Sequence, residues 1–428
     1  MVSETTKTAP AVAAEGRSTF FRQSGWLMIA NIAGGALMWG VHFLAKAIDP
    51  KEYAVFGTLL AVTMCLPVLP LQLVFAQQTA AALATNRRGQ LASIIRFGWF
   101  GTFLIWLVAV AAVLPFRKTL IDRWDISNHA AFDILLVVAL LSAWLPMFLG
   151  ILQGRQNFLW LGWAMMSNGV GRLGGSAIIV MLLAGAAAGM MVGVAAGLLV
   201  GVAIAIWHTR DLWSGRGETF DRGGWLRQVV PLLLGSGACQ FLFTADTMFV
   251  NANFGTAQTA PYVAAGTLSR ALMWLVGPLV AVMLPKLVHS TARAEKSNLL
   301  KPVLLGTALL TTCGVIGLVV FGPTVVRIIY KPQYVASTVA MLPWYAGAMI
   351  PVSLANVLVT NLLGVGRFGI VWVLLALAGG YAVALTQVQS SPIVVLQLLG
   401  GFGLVLFIIS VAITFLRPPG SGDPKPNG

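Results

Sequence analysis

Long apolar segments recur along nearly the whole chain, and they constrain the fold more than any other feature. Read with a window of about 19 residues, they lie near 26–47, 54–79, 91–115, 131–153, 157–183, 186–208, 226–253, 260–284, 300–321, 335–363, 366–388 and 392–416. A bilayer core of about 30 Å requires roughly 20 apolar residues per helix. We therefore predict an all-α, polytopic membrane protein with about twelve transmembrane helices.

The composition excludes a soluble protein. Of the 428 residues, 58% are hydrophobic and only 9% are charged, whereas a soluble domain carries roughly 25% charged residues. The net charge of +14 would suggest nucleic acid as a partner of a soluble chain. Here the basic residues lie in short loops between apolar segments, so we expect membrane lipids around the chain and no nucleic acid.

The distribution of Lys and Arg predicts the orientation. If the N-terminus is inside, eighteen of the 27 Lys and Arg residues fall in cytoplasmic segments and seven in outer segments. Since cytoplasmic loops carry the excess of positive charge, we predict a multi-pass protein of the cytoplasmic (inner) membrane with both termini in the cytoplasm. The first apolar segment is too long for a signal peptide and is expected to remain as the first span.

The twelve segments form two halves of six. A polar stretch at 209–224 is predicted to be a cytoplasmic linker between an N-lobe at 25–208 and a C-lobe at 225–416. Residues 1–24 are predicted to be a cytoplasmic tail, and the Pro- and Gly-rich residues 417–428 a disordered one. Because six is even, the lobes cross the membrane in the same direction, as parallel repeats.

A short sequence repeat supports this division. The pattern Tyr-x-x-x-Gly-Thr-Leu occurs at 53–59 and again at 262–268. Both copies lie at the outer end of the second span of their half. In such an arrangement a substrate is handled at the interface between the repeats.

Two opposite charges are predicted to meet within the membrane. Ionisable residues at such depth are functional candidates, because they are costly unless they are paired or hydrated. Asp246 lies eight residues before span seven ends near Phe254, and Arg270 lies ten residues after span eight begins near Ala260. A rise of 1.5 Å per residue puts them at depths of about 12 and 15 Å. We therefore predict an ion pair between consecutive antiparallel helices.

Four further residues complete the candidate substrate-binding set. Arg172 in span five and His42 in span one also fall in the outer half, which makes the predicted cavity net basic. Gln78 and Asn251 belong to a group of uncharged polar residues that would hydrate it. The structural alternatives are an ion pair that only stabilises the fold, an arginine that reaches to the interface, and amides that link helices.

Sequence motifs for catalysis are missing. Asp49-Pro50-Lys51-Glu52 could supply a catalytic carboxylate pair, but it matches a helix start at every position. The sequence has no P-loop, G-x-S-x-G or zinc motif, and its four histidines have no metal-ligand spacing. We predict a secondary transporter and no enzyme, with no catalytic residue, metal site or cofactor, driven by a Na+ or H+ gradient.

Three stretches resemble the polysaccharide transporter (oligosaccharide flippase) family of the multidrug/oligosaccharidyl-lipid/polysaccharide exporter superfamily. Residues 47–56 (AIDPKEYAVF) are similar to its first hairpin, and residues 150–158 (GILQGRQNF) to its junction between helices four and five. Residues 246–255 (DTMFVNANFG) resemble its seventh helix with an embedded Asp. The turn at 256–261 departs from the family pattern, since it has neither the acidic pair nor the Gly before Tyr262.

The resemblance implies two six-helix lobes around a V-shaped cavity with alternating access. It also implies a polyprenyl-pyrophosphate-linked oligosaccharide as substrate, for cell-surface polysaccharide biosynthesis, with a glycan polymerase or glycosyltransferases of the same pathway as partners. A cation-coupled multidrug exporter of the same superfamily remains an alternative, although it would need acidic groups beyond Asp246. A membrane polymerase or ligase would need a larger outer loop than 116–130. A non-transporting scaffold would tolerate apolar residues in place of Asp246 and Arg270.

Overall fold

The computed structural model describes residues 9–292 and 300–416, and every regular element in these two ranges is helical. The all-α prediction is thereby confirmed. Residues 1–8 of the predicted N-terminal tail and all of the predicted C-terminal tail, 417–428, lie outside the described residues.

The first half contains nine helices within its described part. They are α1 (Ala9–Gly40), α2 (Pro50–Met64), α3 (Val68–Ala84), α4 (Arg88–Val113), α5 (Arg117–Arg123), α6 (Ala130–Gly154), α7 (Phe158–Val170), α8 (Ser176–Leu183) and α9 (Ala186–Trp213). A 3-10 turn, Val41–Lys46, follows α1, and a π-helical turn, Gly171–Gly175, joins α7 to α8. Helix α1 begins inside the segment 1–24 that was predicted as a tail.

The second half contains seven helices within its described part. They are α10 (Arg222–Thr244), α11 (Asp246–Phe254), α12 (Thr256–Ala292), α13 (Leu300–Ile329), α14 (Pro332–Gly364), α15 (Ile370–Gln387) and α16 (Pro392–Phe415). We use "outer end" for the end of the bundle that carries residues 48–50, 254–256 and 329–332, following the predicted orientation. The opposite, inner end carries residues 85–88, 155–158 and 365–369.

Ten helical segments of the described ranges are individually long and apolar enough to cross a membrane. The remaining two of the twelve predicted spans correspond to α12 and to the pair α2 and α3, which have 15 and 17 residues. Large apolar side chains such as Phe100, Leu182 and Trp372 are 67, 77 and 76% exposed, as expected of a surface that faces lipid. The prediction of about twelve transmembrane helices in two halves is confirmed.

The helix start predicted at Asp49 is present. The Asp49 side chain accepts a hydrogen bond of 2.8 Å from the backbone N–H of Lys51, and Pro50 is the first residue of α2. Glu52 has a different role from the expected capping partner, because its Oε2 accepts from the backbone N–H of Ala187 at 3.1 Å. This carboxylate therefore satisfies a free N–H group at the start of α9 and ties the outer ends of α2 and α9 together.

The two halves pack against each other through helices that correspond in the sequence repeat. Helix α2 of the first half lies against α11 and α12 of the second. The Val263 side chain lies so close to Gly57 that a Cβ atom at this position would overlap it. Gly57 and Val263 belong to the two copies of the Tyr-x-x-x-Gly-Thr-Leu pattern, so the repeats face each other directly.

Two spans at this interface are interrupted at the same depth. The second span is divided into α2 and α3 around Pro67, which has no N–H to continue the helix. The seventh span is divided into α10 and α11 at Ala245. The interruptions touch, because Cys65 Sγ lies 3.2 Å from Thr244 Oγ1.

Candidate functional site

A buried carboxylate, Asp246, lies at the interruption of the seventh span. It is the first residue of α11, and it is fully buried. Its Oδ1 accepts a hydrogen bond from Arg270 Nη2 at 2.6 Å, and its Oδ2 accepts from the hydroxyls of Tyr262 at 2.7 Å and Tyr345 at 2.5 Å. Three donors from α12 and α14 therefore compensate for removing this charge from water.

Arg270 is the partner in this pair that stays accessible. Its side chain is 16% exposed, whereas that of Asp246 is 0% exposed. Arg270 Nη2 also donates to Thr247 Oγ1 at 3.1 Å, and Cζ lies 5.4 Å from the centroid of the Tyr345 ring. Its Nε is buried and has no hydrogen-bond partner among the described residues. The ion pair predicted from depth is present, and it fixes the guanidinium through Nη2 while Nε stays unbonded.

The second arginine, Arg172, lies in the π-helical turn between α7 and α8. Its side chain is buried, with 5% exposure, and within the ranges described here its Nε has no hydrogen-bond partner. π-Helical turns within α-helices frequently occur at functional sites. Arg172 is thus a buried cation that no carboxylate of those ranges neutralises through a salt bridge.

His42 lies nearby, in the 3-10 turn after α1, and is 7% exposed. Its Nδ1 is 2.8 Å from the hydroxyl of Tyr53. Leu173, next to Arg172, packs against Gly40, so the turn that carries Arg172 lies against the turn that carries His42. These residues form a second polar cluster, built by the first half of the chain.

The four predicted ionisable residues are therefore divided between two clusters. Asp246 and Arg270 belong to the second half, and Arg172 and His42 to the first. In the described part of the chain, no hydrogen bond or ion pair joins one cluster to the other. Depth along each helix could be estimated from the sequence, whereas the direction of each side chain around its helix could not.

The two predicted amides are in different environments. Gln78 is half-buried on α3, on the inner side of the interruption at Pro67. Asn251 is 2% exposed, and its Nδ2 donates to the backbone oxygen of Trp124 at 3.1 Å. Asn251 therefore takes part in a contact between the two halves at the outer end.

Sequence reasoning missed the tyrosines. The chain has six, and none is more than 2% exposed, although tyrosine in membrane proteins is typically enriched at the interfaces. Two of them hold Asp246. The sequence does contain a signal for two of these tyrosines, because Tyr53 and Tyr262 begin the two copies of the repeated pattern.

The halves of the chain are joined by polar and close apolar contacts at the outer end. We call three of these contacts the outer seal: Tyr53 with Tyr330 (O–H to O, 3.3 Å), Gly57 with Val263, and Lys331 Nζ with the backbone oxygen of Ile48 (2.6 Å). Both polar clusters lie on elements that take part in the seal or adjoin it. These contacts hold the two halves of the chain together at the outer end in the structure.

The sequence profile of the lipid II flippase MurJ family matches residues 75–362, which is more than half of the chain. The chain belongs to the lipid II flippase MurJ family. The match covers Asp246, Arg270 and Arg172, whereas His42 and Tyr53 precede it. A comparison with curated proteins finds no match.

Solved structures show the same fold as this MurJ family member. An inward-facing multidrug resistance MATE family transporter of the MOP superfamily has a TM-score of 0.73 at 12% identity, covering 89% of this chain and 94% of that one. A lipid II flippase MurJ in an inward closed conformation has a TM-score of 0.60 at 11% identity, covering 93% and 88%. An outward-facing MATE family transporter has a lower TM-score of 0.59 at 13% identity, covering 92% and 95%.

These comparisons confirm the resemblance to a flippase family of that superfamily and identify the family as MurJ. The chain is thus a multi-pass membrane protein of a transporter family.

Proposed function

We propose that this protein flips a polyprenyl-pyrophosphate-linked saccharide across the cytoplasmic membrane by alternating access. Lipid II, named in the description of the MurJ family, would be one such substrate, and oligosaccharide carriers for surface polysaccharides would be others. The observation that carries the proposal is the Arg270 side chain, 16% exposed, held by a fully buried carboxylate with three hydrogen bonds beside the interface of the two halves.

The chemistry of the Asp246–Arg270 pair suits an anionic headgroup. Asp246 accepts from three donors, so it offers little to a cation. Arg270 is the partly accessible partner of the pair, with a side chain that is 16% exposed, and a planar guanidinium is suited to bidentate binding of phosphate oxygens. In this proposal Asp246 positions Arg270, and Arg270 binds the pyrophosphate.

The second cluster would act later in the cycle. Arg172 adds a positive charge without a carboxylate partner in the described ranges, close to His42 and behind the outer seal. When Tyr53 and Tyr330 separate, this charge would become accessible to a headgroup that moves outward. Polar side chains such as Gln78 would wet the saccharide, and the polyprenyl chain would stay in lipid.

We also propose the orientation of the protein in the membrane, the ion gradient that drives it and its functional partners. Both termini would be cytoplasmic, as the excess of Lys and Arg in the inner segments predicts. A Na+ or H+ gradient would drive the cycle, without a cofactor. Glycan polymerases or glycosyltransferases that make or use the carrier would be the functional partners.

The test is a flipping assay with the full chain in proteoliposomes and a fluorescent pyrophosphate-linked polyprenyl saccharide. Arg270→Ala should lower the flipping rate by about 10- to 100-fold, the value of one or two charged hydrogen bonds. Arg327→Ala is the matched control, because Arg327 is exposed near the outer end. Equal rates for the two variants would refute the proposal.

The same proteoliposomes distinguish the multidrug exporter. A cationic dye is supplied with an imposed Na+ or H+ gradient, and its movement is compared with that of the lipid. Dye transport without lipid flipping would overturn the proposal in favour of a drug exporter. Because Asp246 already accepts three hydrogen bonds and offers little to a cation, we expect lipid flipping without dye transport.

A further inference from the structure

A basic pocket at the inner end lies apart from the interface of the two halves. It has a volume of about 340 Å3, within the range of roughly 300–1,000 Å3 that is typical of small-molecule sites. It is lined by Arg155, Asn157, Trp207, His208, Arg210 and Asp211. These residues come from the turn between α6 and α7 and from the end of α9, and none takes part in the clusters or the seal described above.

One wall of the pocket is rigid. Arg155 Nη1 donates to the backbone oxygen of His208 at 2.7 Å and to Asp211 Oδ1 at 2.8 Å. The ring of His208 is stacked on that of Trp160, with centroids 3.8 Å apart and planes 15° apart. The turn after α6 is thereby fastened to the end of α9, so the pocket exists without a ligand.

The pocket carries a surplus positive charge. Arg155 is paired with Asp211, but Arg210 forms no salt bridge in the described part of the chain. Its guanidinium lies over the ring of Trp207, with Cζ 3.9 Å from the centroid, which fixes its plane without using its N–H groups. Arg210 thus keeps its N–H groups for an anionic group, and Arg155 lines the same pocket.

The surroundings of the pocket are apolar and face the bilayer. Trp207, which lines the pocket, is 62% exposed, and Leu159 and Trp163 of α7, the helix that begins directly after Asn157, are 53 and 45% exposed. Tryptophan at this level is typical of the membrane interface, and basic pockets between transmembrane helices on the cytoplasmic side bind anionic lipid headgroups. A soluble anion would leave this apolar surface uncovered, whereas the acyl chains of a phospholipid would cover it.

We propose that this pocket binds the phosphodiester headgroup of an anionic phospholipid of the inner leaflet, with Arg210 and Arg155 as its ligands and Trp207 against its acyl chains. The site is distinct from the proposed substrate path, because α6, α7 and α9 belong to the first half and pack mainly on one another and on α1 and α3. Its occupancy would fasten the inner end of the first half to the leaflet during the transport cycle.

The test is native mass spectrometry of the purified full-length protein, titrated with phosphatidylglycerol or with phosphatidylcholine of the same acyl chains. The wild type should retain phosphatidylglycerol in preference, and Arg210→Gln should lower its retention about tenfold, the value of one charged hydrogen bond. Arg216→Gln is the matched control, since it removes the same charge from an exposed position of the linker at the same end. Arg210→Lys, which keeps the charge but loses the planar fork, should retain an intermediate amount.

Each alternative has its own outcome. Equal retention of the two lipids by the wild type, or equal losses in the Arg210→Gln and Arg216→Gln variants, would overturn the proposal. Displacement of phosphatidylglycerol by millimolar inorganic phosphate or glycerol phosphate would show a site for soluble anions and would also overturn it. Because the readout is lipid retention, the result does not depend on whether the protein flips a saccharide.

Discussion

The hydroxyl of Tyr53 on α2 donates to the hydroxyl of Tyr330, just beyond α13, across the boundary between the two halves of the chain, at 3.3 Å. Tyr53 is also 2.8 Å from His42 Nδ1, so three side chains form one buried chain of hydrogen bonds. The first half contributes two of them and the second half one. Opening of the outer end must break this chain.

Tyr53→Phe should favour opening of the outer end. The substitution keeps the buried ring and removes the hydrogen bond that crosses the boundary, which is worth about 1 kcal/mol, so the open fraction should rise several-fold. Electron–electron distance measurements between spin labels at positions 118 and 327, which are exposed on the two halves, would report it, with Cys313 replaced by Ser. Tyr381→Phe is the control, because the Tyr381 hydroxyl has no hydrogen-bond partner in the described ranges. Identical distance distributions for both variants would contradict this role of Tyr53.

Gly57→Ala should act on the same equilibrium through packing. A methyl group at this position would overlap Val263, which is 4% exposed and has little room to move. Overpacking of this kind costs about 1–3 kcal/mol, and separation of α2 from α12 relieves it. The same spin-label distances should therefore lengthen. Gly101→Ala on α4, where nothing lies within 4 Å of the added atom, should leave them unchanged.

The destabilising effects of substituting Asp246 and Arg270 should be strongly non-additive. Loss of one partner of a buried pair costs about 3–5 kcal/mol, because the other charge stays buried and unpaired. Asp246→Asn and Arg270→Gln should therefore each lower the melting temperature in detergent, and the double variant should recover part of the loss. Flipping should be lost in all three. A double variant that regains flipping together with stability would show that the pair serves only the fold.

Arg172→Met should lower transport without lowering stability, unlike the substitutions of Asp246 and Arg270. A buried cation without a carboxylate partner in the described ranges is destabilising, and an apolar side chain of similar length removes that penalty. We expect an unchanged or higher melting temperature and a lower flipping rate in proteoliposomes. Unimpaired flipping would exclude Arg172 from the substrate path.

Much of the architecture could be predicted because lipid imposes a simple rule on length and polarity. Apolar segments of about 20 residues gave the spans, and counting residues from Phe254 and Ala260 predicted the pair of Asp246 and Arg270. The helix N-cap at Asp49 could also be predicted from the local sequence, since three adjacent residues encode it. Each of these inferences needs only the position along one or two neighbouring helices.

The missing parts depend on contacts between residues far apart in sequence. Tyr345 reaches Asp246 from a helix 99 residues further along, and Tyr330 meets Tyr53 across 277 residues. Side-chain direction around a helix in lipid has a weak sequence signal, because buried and lipid-facing sides are both apolar. For this reason the separation of Arg172 and His42 from Arg270 was not predictable.

The contact between Cys65 and Thr244 bears on how much of the molecule has to move. Two interrupted helices, one from each half, meet at a single level, so this level can serve as a shared hinge line. The portions above it, α2 and α11, can then tilt while α3 and α10 stay in place. We expect access to the outer side to require less than the rotation of a whole lobe, and labels on α3 and α10 whose separation stays constant during opening would show it.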